Sequence, residues 1–276
     1  MGAHRAQPLG RPERRGRPVR RGTDVTPVRD NGDMQLYRDD AVVLRTQKLG
    51  EADRIITLLA RKTGRVRAVA KGVRRTKSRF GARLEPFTHV DLMLYPGRSL
   101  DVITQAEVIR PYGAPLTSDY PRYTAGVAML ETAERFTPED KEPSLRQFLL
   151  LIGGLRALGE GSHDPRLVLD AYLLRSLAVA GYAPALTECA RCGTAGRLPA
   201  FAVPAGGMVC ASCRPPGAAA PGPGTVALMA ALLQGDWHSA DQSDRRHQVE
   251  CSGLVAAYLQ WHLEHSIRSL RHVERV

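Results

Sequence analysis

Between residues 41 and 110 the apolar positions recur every second residue. Val90, Leu92 and Leu94 alternate with Asp91 and Met93, the pattern of a sheet buried on one face. Five short stretches rich in Val, Ile, Leu and Thr predict strands at Ala41–Thr46, Ile55–Ala60, Val66–Lys71, Phe87–Tyr95 and Asp101–Arg110. Thr63-Gly64 can turn the second into the third, and Pro96-Gly97 the fourth into the fifth. From about Asp119 the period lengthens to that of a helix. Helices are predicted at Tyr120–Phe136, Ser144–Leu158, Arg166–Ala180, Val226–Leu233 and Arg245–His262. Ser162-His163-Asp164-Pro165 offers an N-cap with proline at the first helical position, and Gly181 can close that helix.

Strands first and helices afterwards predict an α+β chain. Five strands with no long helix between them fit a small closed barrel, of which the five-stranded OB-fold is the common nucleic-acid version. The predicted organisation is an OB-fold barrel over residues 34–112 and an α-helical domain over residues 113–276, with a Pro/Gly/Ala linker at Pro215–Gly224. Residues 1–33 read as a disordered basic tail. They carry Arg5, Arg11, Arg14, Arg15, Arg17, Arg20, Arg21 and Arg29 among prolines and glycines, too polar to offset the entropy of ordering. Such a tail is either a basic arm or lies upstream of a true start at Met34; composition favours the second.

Charge divides the chain more sharply. Residues 1–110 hold 24 basic and 12 acidic side chains, and residues 111–276 hold 15 and 16. The sequence pI near 9.8 therefore belongs to one half, and a one-sided basic surface attracts a polyanion. Arg65, Arg67, Lys71, Arg74, Arg75, Lys77, Arg79 and Arg83 form the densest stretch, with Glu85 as the nearest acid. Gly72, Ser78 and Gly81 mark it as a loop leaving a strand. These eight cations are the candidate nucleic-acid-binding residues, since cations neutralise phosphates and release counterions. The bland alternative is a solvated face with no partner. Phe80 and Phe87 can either stack a base or fill the core. Aromatics make up only 5% of the chain. The longest aliphatic and aromatic run, Phe148–Ile152, is far short of the ~20 residues of a membrane span.

Four of the five cysteines form two C-x-x-C pairs, Cys189/Cys192 and Cys210/Cys213, with 17 residues between them. That spacing brings four thiolates to one ion and predicts one zinc per chain, in a knuckle spanning residues 186–216. Four thiolates fill the coordination shell, so the zinc is structural and activates no water. A redox dithiol or an iron–sulfur cluster are the alternatives; a thioredoxin-like site would carry one C-x-x-C, not a matched pair. Cys251 falls in a predicted helix, as a small core residue. The pairing also argues for a reduced compartment over a secreted disulfide framework.

The run Gly64-Arg65-Val66-Arg67-Ala68-Val69-Ala70-Lys71-Gly72-Val73-Arg74-Arg75, followed by Ser78-Arg79-Phe80-Gly81 and Leu84-Glu85-Pro86-Phe87, resembles the N-terminal barrel of the RecO family of bacterial recombination mediators. Val42-Val43-Leu44-Arg45, Leu49-Gly50-Glu51-Ala52-Asp53-Arg54 and Gln105-Ala106-Glu107 extend the resemblance, which covers about residues 34–270 and leaves out the tail. The resemblance implies an OB-fold and a helical domain, often with a four-cysteine zinc knuckle. It implies binding to single- and double-stranded DNA and annealing of complementary strands. It also implies contact with the acidic tail of single-strand-binding protein, and work with RecR to load RecA, in a cytoplasmic, nucleoid-associated protein.

Other classes fare worse. No phosphate-binding glycine motif is present, and Gly222-Pro223-Gly224 follows no predicted strand. His262-Leu263-Glu264-His265 lacks the H-E-x-x-H spacing, and Asp39-Asp40 would diverge on a strand, a poor two-metal nuclease site. The chain is therefore read as a non-enzyme. The runner-up is an RNA-binding OB-fold assembly factor with a structural zinc; a zinc-ribbon scaffold without nucleic acid is third.

Overall fold

The computed structural model describes residues 35–78 and 80–263. Five strands, β1 (Tyr37–Leu49), β2 (Asp53–Ala60), β3 (Gly64–Ala70), β4 (Thr88–Tyr95) and β5 (Asp101–Pro111), close into a barrel in the order β1-β2-β3-β5-β4, with β4 returning to β1. This is the OB-fold order. All neighbours are antiparallel except β3 and β5, which meet in parallel at Ala68–Asp101 and Val69–Val102 alone. Alternate residues of the strands point inward, and Val43, Ile56, Leu58, Val66, Ala68, Val90, Leu92 and Ile103 fill one core. The β3–β4 connection completes the filling. Its 3-10 turn, Gly81–Leu84, sends Phe80 and Leu84 into that core.

The outer face of β1 and β2 is apolar in its middle, and the helices cover it. Val42, Leu44 and Leu59, with Phe87, belong to the same buried cluster as the helical residues Met129, Phe148 and Leu155. Short α1 (Gly113–Thr117) leads into α2 (Tyr120–Phe136), α3 (Leu145–Glu160) and α4 (Pro165–Val179). Asp119 caps α2 by accepting the Arg122 N–H at 2.9 Å, and Asp164 caps α4 by accepting that of Arg166 at 2.8 Å. α4 is buried on almost every face and forms the centre of the helical half, packed on α2, α3, α5 (Pro223–Gln234) and α7 (Arg245–His262). A five-residue α6 (Trp237–Asp241) lies between the last two, and a small hairpin of β6 (Ala200–Ala202) and β7 (Gly207–Val209) carries the cysteines.

The α2–α3 connection supplies a missing piece of barrel wall. β3 meets β5 only near its end, so its first half has a free edge. Residues 138–143 run beside it. Arg65 and Asp140 form a parallel bridge, and the Lys141 N–H donates to the Arg65 carbonyl at 2.8 Å. Gly64 has φ +82°, and any side chain there would overlap the Glu142 carbonyl. Three ion pairs tie this seam: Arg65–Asp140 at 2.7 Å, Arg45–Glu134 at 2.8 Å and Lys141–Asp101 at 2.8 Å. Asp101 is buried and also accepts bonds from the Tyr37 hydroxyl and the Gly97 N–H. Burial alone would raise its pKa. The bonds from Lys141, Tyr37 and Gly97 outweigh that and hold it below the usual carboxylate range.

Among the described residues no helix is long and apolar enough to cross a membrane. The tail at 1–33 lies outside the described residues.

Candidate nucleic-acid interface and metal centre

The basic stretch begins on β3, where the pleat separates its residues. Val66, Ala68 and Ala70 turn into the barrel, while Arg65, Arg67 and Val69 take the outer face. The chain then leaves the strand through a turn at Gly72, whose φ of +68° suits glycine. That turn is stitched to the β1–β2 turn. Asp53 Oδ1 accepts the Gly72 N–H at 2.7 Å, the Ala52 carbonyl accepts the Arg74 N–H at 3.0 Å, and Arg74 Nη1 reaches the Gly50 carbonyl at 3.1 Å. Two further bonds, Arg75 N–H to the Gly72 carbonyl and Ser78 N–H to the Arg75 carbonyl, coil the loop. Buried Val73 anchors its underside and Phe80 anchors its end. The apolar residues hold the loop down, and Lys71, Arg74, Arg75 and Lys77 remain on the surface.

The eight predicted cations do not share one fate. Arg67, Lys71, Arg75 and Lys77 are exposed and make no ion pair among the described residues. Arg74 is exposed but spends one guanidinium N–H on Gly50. Arg83 is exposed, with Nη1 at 3.5 Å from the Ala106 carbonyl. Arg79 lies outside the described residues. Arg65 departs from the expectation of a free cation: its guanidinium is bound by Asp140 and the Pro138 carbonyl, and only 19% of the side chain is exposed. Sequence density could not show this, because the acid that neutralises Arg65 lies 75 residues downstream. Of the acids near the loop, Glu85 is paired with Arg54 at 2.6 Å and Asp53 accepts the Gly72 N–H. Phe80 and Phe87 are 1% and 4% exposed, so neither presents a ring for stacking. Lys48 was not singled out from sequence, yet it stands exposed near the end of β1, opposite Arg54 and two residues before the turn that the loop is stitched to. A lysine two residues before a glycine, between two predicted strands, was the available signal.

The second constellation sits on the small hairpin. The Sγ atoms of Cys189, Cys192, Cys210 and Cys213 all lie within 4.8 Å of one another. Cys192 and Cys210 are 3.9 Å apart, close to the ~3.8 Å edge of a tetrahedron whose metal–sulfur bonds are about 2.3 Å. Four sulfur donors in that arrangement could hold a soft or borderline metal ion. Backbone geometry makes the nest. The Gly193 N–H closes a turn on the Cys189 carbonyl at 2.8 Å, and the Cys213 N–H closes one on that of Cys210 at 3.2 Å. The Cys210 N–H donates to Cys189 Sγ, and with the Arg191 and Cys192 N–H groups it draws the Cys189 thiol down to about 6 despite partial desolvation. Thr194 lowers Cys192 in the same way, while bonds from Cys213 to Cys210 and Cys192 push Cys213 up to about 12. Some thiols are thus poised as thiolates, and a bound cation would draw the rest into that state. The hairpin docks on the helices through Phe201 and Met208, with Phe201 edge-on to Tyr258 at 5.6 Å. Cys251 is apart from this set, fully buried in α7, where burial pushes its thiol up.

The other constellations weighed in the sequence stay apart. Asp40 pairs with His89 at 3.0 Å, whereas Asp39 turns the other way and caps the β2–β3 turn through the Thr63 N–H at 2.9 Å. His262 stacks on Tyr182, and Glu264 and His265 lie outside the described residues.

Comparison with known proteins decides the family. The model described as "Recombination protein O N terminal" matches residues 34–112, and "Recombination protein O C terminal" matches residues 117–271. The chain belongs to the RecO family. Its RecO relatives are similar over nearly all of the described region. The DNA repair protein RecO of Thermobifida fusca is 71% identical over 242 residues, 88% of this chain and 100% of that protein. That of Nocardioides sp. is 63% identical over 243 residues, and that of Streptomyces griseus 60% over 248, each matched along 100% of its length. The barrel, helices and cysteine cluster described above are thus the setting of a RecO-family DNA repair protein.

Proposed function

We propose that this protein is a DNA-binding recombination mediator that anneals complementary strands and helps load RecA onto single-stranded DNA covered by single-strand-binding protein. One observation carries the reading: Arg67, Lys71, Arg75 and Lys77 stand exposed, with no ion pair among the described residues, on a strand and loop that are stitched to the β1–β2 turn of the barrel. Lys48 and Arg74 extend this ridge. Cations held on a stiff support bind backbone phosphates without reading sequence. Two strands carrying like charge repel each other; a ridge that neutralises both while leaving most bases unstacked lets them pair. Arg65 has no place in this set, because Asp140 already satisfies it. No catalytic step is assigned, so labelled DNA incubated with magnesium stays intact.

The helical half is assigned to partners. A groove of about 290 Å³ between α3, α4 and α6 is walled by Leu149, Leu150, Ala157 and Trp237, with Arg175 on its side. One Arg175 guanidinium nitrogen is buried and lacks a hydrogen-bond partner among the described residues. An apolar slot with an unsatisfied cation suits the acidic, apolar tail of single-strand-binding protein. RecR is the second partner, and the cytoplasm, at the nucleoid, is the compartment. The four thiolates hold one structural zinc, and metal analysis of the purified protein is expected to find one equivalent that Cys210→Ser abolishes.

The decisive experiment follows the pairing of complementary strands coated with single-strand-binding protein, alongside binding to single-stranded DNA at several salt concentrations. The protein is expected to accelerate pairing. Arg75→Ala/Lys77→Ala lowers the salt slope by about 0.7 per lost phosphate contact. No acceleration, or an unchanged slope, overturns the reading.

A further inference from the structure

Among the exposed aromatic side chains, two share one turn of helix. Tyr120 is 57% exposed and Tyr123 41%, at the start of α2. Three residues apart, they stand side by side on the helix surface. Tyr123 is also within reach of the end of the basic segment. The Tyr123 ring meets Phe87 edge-on, centroids 5.9 Å apart, and Phe87 is four residues beyond Arg83. Extended chain of that length reaches about 14 Å at most.

Phe87 is held in an unfavourable conformation. Its φ of +69° places a bulky side chain in the left-handed region, a state that persists only where the surroundings impose it. The surroundings here are specific. The Phe87 N–H donates to the Val43 carbonyl at 3.1 Å, and its carbonyl accepts the Tyr112 N–H at 3.2 Å. Gly126 leaves room for the ring, since a Cβ there would stand 3.0 Å from Phe87 Cε1. The strained residue is thus a rigid post between the basic segment and the tyrosines.

Charge decides what the tyrosines can do. Tyr120 borders a cleft of about 350 Å³ between the starts of α2 and α4, together with Arg122 and Arg166. Both arginines face their own capping acids, Asp119 at 3.6 Å and Asp164 at 3.1 Å, so the cleft adds little net positive charge. A strand leaving the cationic ridge toward this region meets rings more than charge.

We propose that Tyr120 and Tyr123 form a base-stacking platform for single-stranded nucleic acid, continuing the cationic ridge onto the helical half. The inference rests on the proposed function of the ridge. The two surfaces differ in physics. Phosphate neutralisation weakens with salt and accepts duplex and single strand alike. Stacking depends little on salt and needs an unpaired base. The platform therefore confers preference for single strands, and it gives up its bases when they find complements.

The test uses the full chain and a thymidine oligomer of about 15 residues, within the span of an OB-fold site. An abasic strand of equal length and a duplex serve as controls. Tyr120→Ala/Tyr123→Ala is expected to lose about tenfold in affinity for the oligomer, equally at every salt concentration. Binding to the abasic strand and the duplex stays unchanged, and Tyr120→Phe/Tyr123→Phe restores the oligomer. Because Tyr123 packs on Phe87, Tyr120→Ala alone serves as the milder variant and loses part of the same affinity. Unchanged affinity in the alanine variants, or an equal loss on the abasic strand, overturns the platform. If Arg75→Ala/Lys77→Ala still lowers the salt slope in that case, the ridge stands without it. A wild-type chain that binds neither strand overturns both.

Discussion

Arg65 and Arg67 lie on the same face of the same strand, two residues apart, and do opposite things. Arg65 is bound by Asp140 and the Pro138 carbonyl and helps fasten the helical half to the barrel. Arg67 makes no ion pair among the described residues and stays exposed. The difference extends to whole regions. Along the seam, Arg45, Arg65 and Lys141 each have a carboxylate from the other half of the chain. Along the ridge, Glu85 is already taken by Arg54 and Asp53 by the Gly72 N–H. A cation is available to a ligand only where the fold has brought it no anion.

The comparison can be broken most forcefully at Asp101. Asp101→Asn removes a buried charge that Lys141, Tyr37 and Gly97 all bond, and should destabilise the protein by about 2–3 kcal/mol. Denaturant unfolding measures this, and DNA affinity per folded molecule should not change. A lost affinity would mean that seam and ridge are one system. Next comes the pair on β3. Arg65→Ala should cost about 1 kcal/mol of stability and leave the salt slope of DNA binding intact. Arg67→Ala should lower that slope by about 0.7 and leave unfolding unchanged. Swapped outcomes would reverse the assignment. The smallest effect is that of pH. The Asp101 pKa is depressed in the folded state, so its contribution to stability is fully present above the ordinary carboxylate pKa of ~3.9. It is lost as pH falls through the lower folded value. Stability at neutral pH should be flat with respect to this group, with the loss confined to acid, and Asp101→Asn should remove that acid-sensitive component.

Much of this molecule was legible in its sequence, and the reasons are local. Period-two alternation and turn residues marked all five barrel strands. Helical period gave α2 and α7 their full extents, and cap residues marked the start of α4. β1 runs on past Thr46 because Gln47 and Lys48, polar and unremarkable in pattern, pair with Ile55 and Arg54. α1 and α6, five residues each, are too short to show a period. The cysteine spacing was explicit, since both C-x-x-C turns are local and only one loop separates them. The loop cations were equally visible as a charge run. What stayed hidden was long-range. No local pattern could pair Arg65 with Asp140, send Phe80 and Phe87 into the interior, or set Tyr123 against Phe87. Each depends on which segment the fold brings alongside.

The strip of chain at residues 138–143 has a consequence for ancestry. Because the helical half lends the barrel part of its wall, the first 112 residues are not a self-sufficient module. A shuffled gene that carried them alone would encode a vessel with an open side, its β3 backbone and the apolar trio Val42, Leu44 and Leu59 left to water. Inheritance of the two halves is thereby coupled, and a change at Gly64 must be tolerated by a loop encoded more than 70 codons away.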